Sequence, residues 1–421
     1  MTGRDGGASN TNEIGLERTA DGVLHVLWTR QPTPGSGQVR HGVISVDAKS
    51  LSGPDVVFDY ADGVNDSVDL VPGPSGGLRA FFAGLAKSNP LTEHLATATA
   101  ASDGKVWTAP ALASNGSAAT GKPVYSALGI GAAIGLDGAA FSAWGDPMNG
   151  FHVGLSASDS DQVIAGGTPV DPNLAVDSQS GQVVLVWNSV DGGNAMARPI
   201  APAGPTVTVP ASGARQIGQR VSATGRIGAA GIWIGYSAGP SEFLGGPALW
   251  RFGAPKAKIL SSAKGARFTS VAAAPGGRLW VFWARDNVLF AARSNSTTSR
   301  FGQIVSLRPP KETTSLFSLY GEGSRGPLDL LANVQRSGGV GFWHQRVLPG
   351  LTLTAERMHG GVAFKVTDAG APVTGATVKV GSVEAKTGKK GTVGFKLRAG
   401  RYRAVASKAF YAPASTRVRV R

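Results

Sequence analysis

Seven alternating apolar runs recur along this chain, each opening on glycine or alanine and closing six residues later. They are Gly22–Trp28, Gly76–Phe82, Gly138–Trp144, Gly181–Trp187, Ala230–Tyr236, Gly277–Trp283 and a weaker Gly326–Ala332. Their closing residues lie 54, 62, 43, 49, 47 and 49 positions apart. Alternation marks a half-buried strand, and a strand-bearing unit recurring at about 50 residues without helical periodicity predicts a β-propeller.

The neighbourhood of each run supports four antiparallel strands per unit. A short apolar strand precedes each one: Ile14–Leu16, Val68–Val71, Ser126–Ile130, Asn173–Val176, Arg220–Ala223, Thr269–Ala272 and Leu316–Tyr320. Turns rich in Gly, Asp, Ser and Pro join it to the run. Third strands such as His41–Val46 and Pro247–Phe252 follow, then fourth strands such as 54–59 and 301–307. Glycine, 60 of 421 residues, is about twice its average share, which suits many tight turns. The first strands are small-residue strands, as crowding at an axis requires, and the bulky residues of the second strand read as packing between blades. The expected fold is all-β, a seven-bladed propeller followed by a small Ig/transthyretin-like sandwich. The seventh unit lacks an evident fourth strand, so closure draws on the N-terminal segment; six blades plus an irregular segment is the alternative.

Charge divides the chain into the same two parts. Residues 351–421 carry 14 basic and 3 acidic residues, a balance of +11, against 27 and 24 in the first 350. The expected domains are therefore a near-neutral propeller over 1–350 and a basic module over 351–421. Such asymmetry points to an anionic partner, here an anionic cell-envelope polymer, with a solvated surface as the plainer reading.

Cysteine is absent, which excludes disulfides and thiolate chemistry. The six histidines, His25, His41, His94, His152, His344 and His359, are dispersed without ligand-like spacing, so neither metal nor cofactor is expected. His25 reads as a packed or surface residue. The low-charge stretch from Tyr125 to Trp144 reads as two strands and a turn, not a membrane span.

Two resemblances add to this reading. The segment Ser102–Pro110, with Asp103, Gly104 and Trp107, resembles the Asp-box, or bacterial neuraminidase repeat, of sialidase-like propellers, although its Asp-to-Trp spacing is one residue short and its threonine follows the tryptophan. It implies a glycoside hydrolase holding a substrate carboxylate with arginines and attacking with a tyrosine, and Arg220, Arg267 and Tyr320 fall in a suggestive order. The expected positions of Arg220 and Tyr320 at opposite mouths, and the missing Arg-Ile-Pro start, count against that transfer. Residues 351–421 resemble the carboxypeptidase regulatory-like, transthyretin-type sandwich, through Pro372–Ala376, Thr387, Gly388, Gly391, Phe395, the run Leu397–Tyr402 and Tyr411–Ser415. That family implies a binding or structural appendage without catalytic residues.

Propellers bind ligands at the mouth where first strands begin and the loops between second and third strands project. The expected ligand-binding residues are Asp66, Tyr125, Asn173, Arg220 and Arg267 at strand starts, with Asp146, Glu242 and Arg285 on projecting loops. Arg30, Asn149, Asp191 and Asp286 share those loops. Mixed polar groups around a depression suit a glycan or peptide. The expectation is an exported, secreted or cell-surface recognition protein without catalysis, nucleic acid not being an expected partner. A sialidase-like hydrolase and a structural assembly protein are the alternatives.

Overall fold

The computed structural model describes residues 2–3, 14–30, 36–48, 50–61, 67–86, 89–112, 129–146, 150–155, 158–164, 169–189, 193–213, 221–239, 244–261, 264–337, 339–358 and 360–420. Within them the chain is all-β, and the helical structure is one short turn at Pro74–Gly76. Each of the seven apolar runs forms the second strand of a four-stranded antiparallel unit. The first strands are Gly15–Arg18, Val68–Pro72, Ile130–Ile134, Pro169–Val176, Ser222–Arg226, Arg267–Ala274 and Ser315–Glu322. The second strands are Leu24–Arg30, Leu78–Ala86, Ala140–Asp146, Val183–Ser189, Ala229–Ala238, Arg278–Arg285 and Leu328–Arg336. We number the units 1 to 7 in that order. The low-charge stretch ending at Trp144 supplies the hairpin of unit 3, in which Ile130 pairs with Trp144.

Each first strand packs against the first strand of the next unit, and that of unit 7 packs against that of unit 1. The arrangement is propeller-like, a closed ring of short strands with the sheets radiating outward. Units 1 and 2 are joined further out, where Tyr60 pairs with Ala86 and Ala61 with Leu85. In unit 7 the fourth position is taken by Thr2–Gly3, which pairs with Trp343 and Phe342 of strand Gly339–Val347.

Side-chain size follows this geometry. The residues closing the seven runs, from Trp28 to Ala332, are all buried. Trp28 of unit 1 packs with Tyr320, Leu331 and Phe342 of unit 7. Trp144 of unit 3 packs against Val71 and Phe81 of unit 2, and Trp283 of unit 6 against Leu249 of unit 5. Each such side chain contributes about 1.5–3 kcal/mol by leaving water. Near the axis the requirement reverses: a Cβ on Gly225 would sit 1.8 Å from the Val176 carbonyl oxygen of the preceding unit, so only glycine lets those strands meet.

The seam between units 7 and 1 is ionic as well as apolar. Arg18 donates from Nε to Glu322 and from Nη2 to Asp329, and from Nη1 to the Gly22 carbonyl at 2.8 Å. Asp329 also accepts from Arg346 Nε and Nη2, both at 2.9 Å, and lies 2.9 Å from His344 Nε2. Burial alone would raise the Asp329 pKa. The hydrogen bonds from His344 and Arg346, with the Arg18 and Arg346 charges, outweigh it and bring the carboxyl down to about 2.

Beyond unit 7, two further sheets enclose a core of their own. One contains Thr352–Met358, Gly361–Asp368, Ala371–Pro372 and Thr392–Lys396; the other is ordered Val383–Lys386, Thr377–Val380, Gly400–Ser407, Ala414–Val420. Val362, Phe364, Val366, Val378, Val380 and Ala404 fill the space between them. Asp368 ties these sheets to unit 6: it pairs with Arg293 and, at 3.2 Å, with Arg278. The Arg293 guanidinium is sandwiched between the rings of Trp280 and Tyr411, 5.7 and 5.1 Å from their centroids.

Candidate functional site

The seven first strands surround a cavity of about 310 Å³ to which every unit contributes. That volume lies at the small end of small-molecule sites, roughly 300–1,000 Å³, and suits a sugar ring or a single side chain. Its polar lining comprises Glu17, Asp69, Asn173, Ser222, Thr224, Ser270, Tyr320, Glu322 and Ser324, and among the described residues no arginine or lysine lines it.

Several of these groups bind one unit to the next. Asp69 Oδ2 accepts the Ala132 amide at 2.8 Å and Asn173 Oδ1 the Ala223 amide at 2.9 Å. Ser222 Oγ accepts from the Val271 amide at 3.3 Å and donates to the Val271 carbonyl at 3.2 Å. A polar side chain facing the next inner strand thus satisfies backbone groups that have no ladder partner there. Glu322 is held in the unit 7–1 seam by Arg18 and by the Ser324 amide, 2.6 Å from Oε1.

Glu17 differs from these. Burial pushes its carboxyl up to about 8, and the like charges of Glu322 and Asp69 add to the rise against the opposing effect of the Arg18 amide and guanidinium. At neutral pH Glu17 is therefore a neutral acid that can donate a hydrogen bond, in a cavity lined also by the carboxyl groups of Asp69 and Glu322. Glu17 was not among the expected site residues. Its sequence setting, Ile14-Gly15-Leu16-Glu17-Arg18, is ordinary alternation, and only the ring brings it to the axis.

Of the expected residues, Asn173 lines the cavity. Arg267 and Arg285 belong to paired strands of unit 6, in which Arg267 lies opposite Ala284. Arg267 stacks over Phe268, 4.9 Å from the ring centroid, and Arg285 over Phe290 at 5.1 Å and 3.8 Å from Asp286. The chain bulges at Arg267–Ser270 and Val170–Asn173, where Phe268 and Asp171 take positive φ values of 52° and 54°. Arg30 ends its strand and Asp146 ends strand Ala140–Asp146. Asp66, Tyr125, Arg220 and Glu242, with Asn149 and Asp191, lie outside the described residues. Tyr320 both lines the cavity and packs into the unit 7–1 core.

The Asp-box-like segment closes the unit 1–2 seam. Gly104 turns the chain with φ +65°, Asp103 Oδ1 accepts the Lys105 amide at 3.1 Å, and the Trp107 ring meets His41 edge-on at 5.4 Å. His41 is in turn brought to His25, a pairing that sequence spacing did not suggest because the two lie on neighbouring strands of one sheet. His25 Nδ1 lies 2.9 Å from His41 Nε2 and the rings stack at 5.1 Å. His25 Nε2 lies 3.2 Å from Thr19 Oγ1, whose hydroxyl donates to Asp21 Oδ1 at 2.7 Å. The His25–His41 contact takes one proton between Nδ1 and Nε2, its donor set by the tautomer, and His25 also hydrogen-bonds the Ser102 backbone. Burial, then the neighbouring His25, lowers His41 to about 4. Among the described residues no group of three potential ligands is arranged to hold a metal ion, and no helix is long and apolar enough to cross a membrane.

No family model matches the chain, and no curated protein matches it. Among solved structures it is similar to virginiamycin B lyase from Staphylococcus aureus, with 12% identity, 80% of this chain and 96% of that one covered, and a TM-score of 0.42. It is also similar to the leech intramolecular trans-sialidase, with 10% identity, 66% of each chain and a TM-score of 0.45. A third is the Aleuria aurantia lectin in complex with Fucα1-6GlcNAc, with 14% identity, 86% and 97% covered and a TM-score of 0.43.

Proposed function

We propose that this protein is a recognition protein: a seven-bladed propeller over residues 1–350 that binds a neutral glycan or a peptide side chain at its axial cavity, joined to a transthyretin-like sandwich over 351–421 that docks to an anionic polymer. Seven units and the Thr2–Gly3 edge strand support the blade count, and the separate core around Phe364 supports the sandwich. The observation that carries the ligand reading is the acid-lined cavity, to which no lysine or arginine contributes among the described residues; this disfavours an anionic substrate and favours hydroxyls or a cation. Its protonated Glu17 donates to a ligand oxygen while cavity serines and Thr224 offer both donors and acceptors.

A glycoside hydrolase is the second reading, favoured by one observation: burial holds the Glu17 carboxyl up to about 8, where a general acid is needed, in a cavity that Asp69 and Glu322 also line. Recognition is preferred because both other cavity carboxylates are engaged in holding the ring, Glu322 by Arg18 and the Ser324 amide and Asp69 by the Ala132 and Leu70 amides. A glycan-array screen of the full chain beside Glu17→Gln, followed by hydrolysis assays on each hit, tests both. Retained ligand without turnover supports recognition; turnover abolished by Glu17→Gln establishes the hydrolase. Hits that bind equally well when the cavity is blocked by Ala223→Trp would refute the axial site.

A further inference from the structure

Strands Gly400–Ser407 and Ala414–Val420 pair so that Arg401 lies opposite Arg419 and Arg403 opposite Arg417. Residues directly opposite in an antiparallel pair share a face, as do residues two apart on one strand. All four arginines are therefore on one face, and all four are exposed, while Ala404, Ala406 and Val420 point into the core. The grid spans about 5 Å between strands and about 7 Å along them.

Like charges directly opposite destabilise a sheet. The same sheet shows the ordinary solution a few residues away, where Lys379 lies opposite Glu384. Around the four arginines no carboxylate lies within ion-pair distance among the described residues, and they border a shallow groove of about 440 Å³. The module also carries seven lysines, yet every position of this grid is arginine. Arginine's planar fork takes two oxygens of one oxyanion, which a lysine ammonium cannot do.

We propose that this grid is a docking surface for a linear phosphodiester polymer without aromatic bases, a polyol-phosphate chain. The proposal rests on, and gives a site to, the reading of the C-terminal sheets as the part that meets an anionic polymer. A phosphodiester carries its charge in the backbone, so successive phosphates can meet successive arginines along a strand. A single-stranded nucleic acid would also need aromatic platforms for its bases. The one aromatic lining the groove, Tyr402, is no open platform: it is partly buried against the core and its hydroxyl donates to the Arg398 carbonyl at 3.0 Å.

The test is binding of a defined-length poly(glycerol phosphate) to the full chain at 50 and 200 mM salt. Four neutralised phosphates, at about 0.7 released ion each, predict binding about 50-fold weaker at the higher salt. R403E/R417E should weaken binding at low salt at least about tenfold and lower the salt slope by about 1.4. K389E/K390E, the same charge change on an exposed turn of the same sheets, should leave binding within about threefold. Circular dichroism of both variants checks that the strands persist. Equal binding by R403E/R417E with loss in K389E/K390E overturns the grid and leaves the anionic-polymer reading standing. No binding by the unaltered chain at 50 mM salt overturns both. Tighter binding to single-stranded DNA, polygalacturonate or anionic vesicles than to poly(glycerol phosphate) overturns the choice of occupant.

Discussion

The His25–His41 pair makes a quantitative prediction about acid sensitivity. His41 is 1% exposed, and its Nδ1 has no partner among the described residues. A second proton there would be a buried positive charge with no acceptor, next to another imidazole. Its pKa accordingly falls from 6.5 in the unfolded chain to about 4 in the folded one. The folded state binds this proton more weakly, so the stabilisation is complete above pH 6.5 and is lost as pH falls toward 4. Linkage gives a loss of about 2 kcal/mol between pH 8 and pH 5, and about 3 kcal/mol by pH 4. The first figure is a factor of about 30 in the folded-to-unfolded ratio. His41→Gln keeps a donor toward His25 and removes the titration. Urea unfolding, followed by tryptophan fluorescence at pH 8 and pH 5, should show the parent losing about 2 kcal/mol more than the variant. Equal losses would refute the buried neutral pair, as would a folded-state imidazole resonance, missing from His41→Gln, that titrates near pH 6.5.

Glu17 has the opposite sign. Its pKa is raised from 4.5 to about 8, so its contribution is present below pH 4.5 and is lost as pH rises through 8. Glu17→Gln should therefore raise the melting temperature at pH 8.5 and change it little at pH 4.5; the reverse order would remove Glu17 from the buried axis. Asp329→Ala leaves Arg18, Arg346 and His344 facing each other in the unit 7–1 seam, and should cost about 3–5 kcal/mol in chemical denaturation. A cost below about 1 kcal/mol is the value of an exposed pair and would show the seam to be hydrated. Gly104→Ala sets a Cβ 2.4 Å from His41 Cε1 at φ +65°, and should cost about 1–3 kcal/mol by the same measurement.

The sheets were legible because burial between neighbouring sheets imposes size at a fixed place. Trp28, Trp144 and Trp283 must all close a second strand, and that requirement repeats in the sequence. The same logic made the missing fourth strand of the last unit visible, and Thr2–Gly3 occupies that position. The axis was less legible because it is assembled from seven short strands scattered over some 300 residues. Asn173 was expected at a strand start; it lies inside strand Pro169–Val176 instead, lining the cavity with its oxygen serving the Ala223 amide. Glu17 and Glu322 resembled any alternating polar residue until the ring set them near each other. The arginines of Arg401-Tyr402-Arg403 and Arg417-Val418-Arg419 entered the sequence reading only as part of the basic balance of residues 351–421. Their meeting on one face depends on a strand register that composition does not encode.

The ionic seam also has a consequence for synthesis. Arg18 meets Glu322 across 304 residues and Asp329 across 311, so the first unit made waits for the last. On the ribosome the growing chain is an open arc, its first and latest sheets exposing apolar flanks such as that around Trp28. Each emerging unit can dock on its predecessor by contacts local in sequence, but the final docking is the most distant in the chain. Closure is therefore a single late event, and a chain truncated before Asp329 would retain most of its packing yet leave Arg18 without its carboxylates.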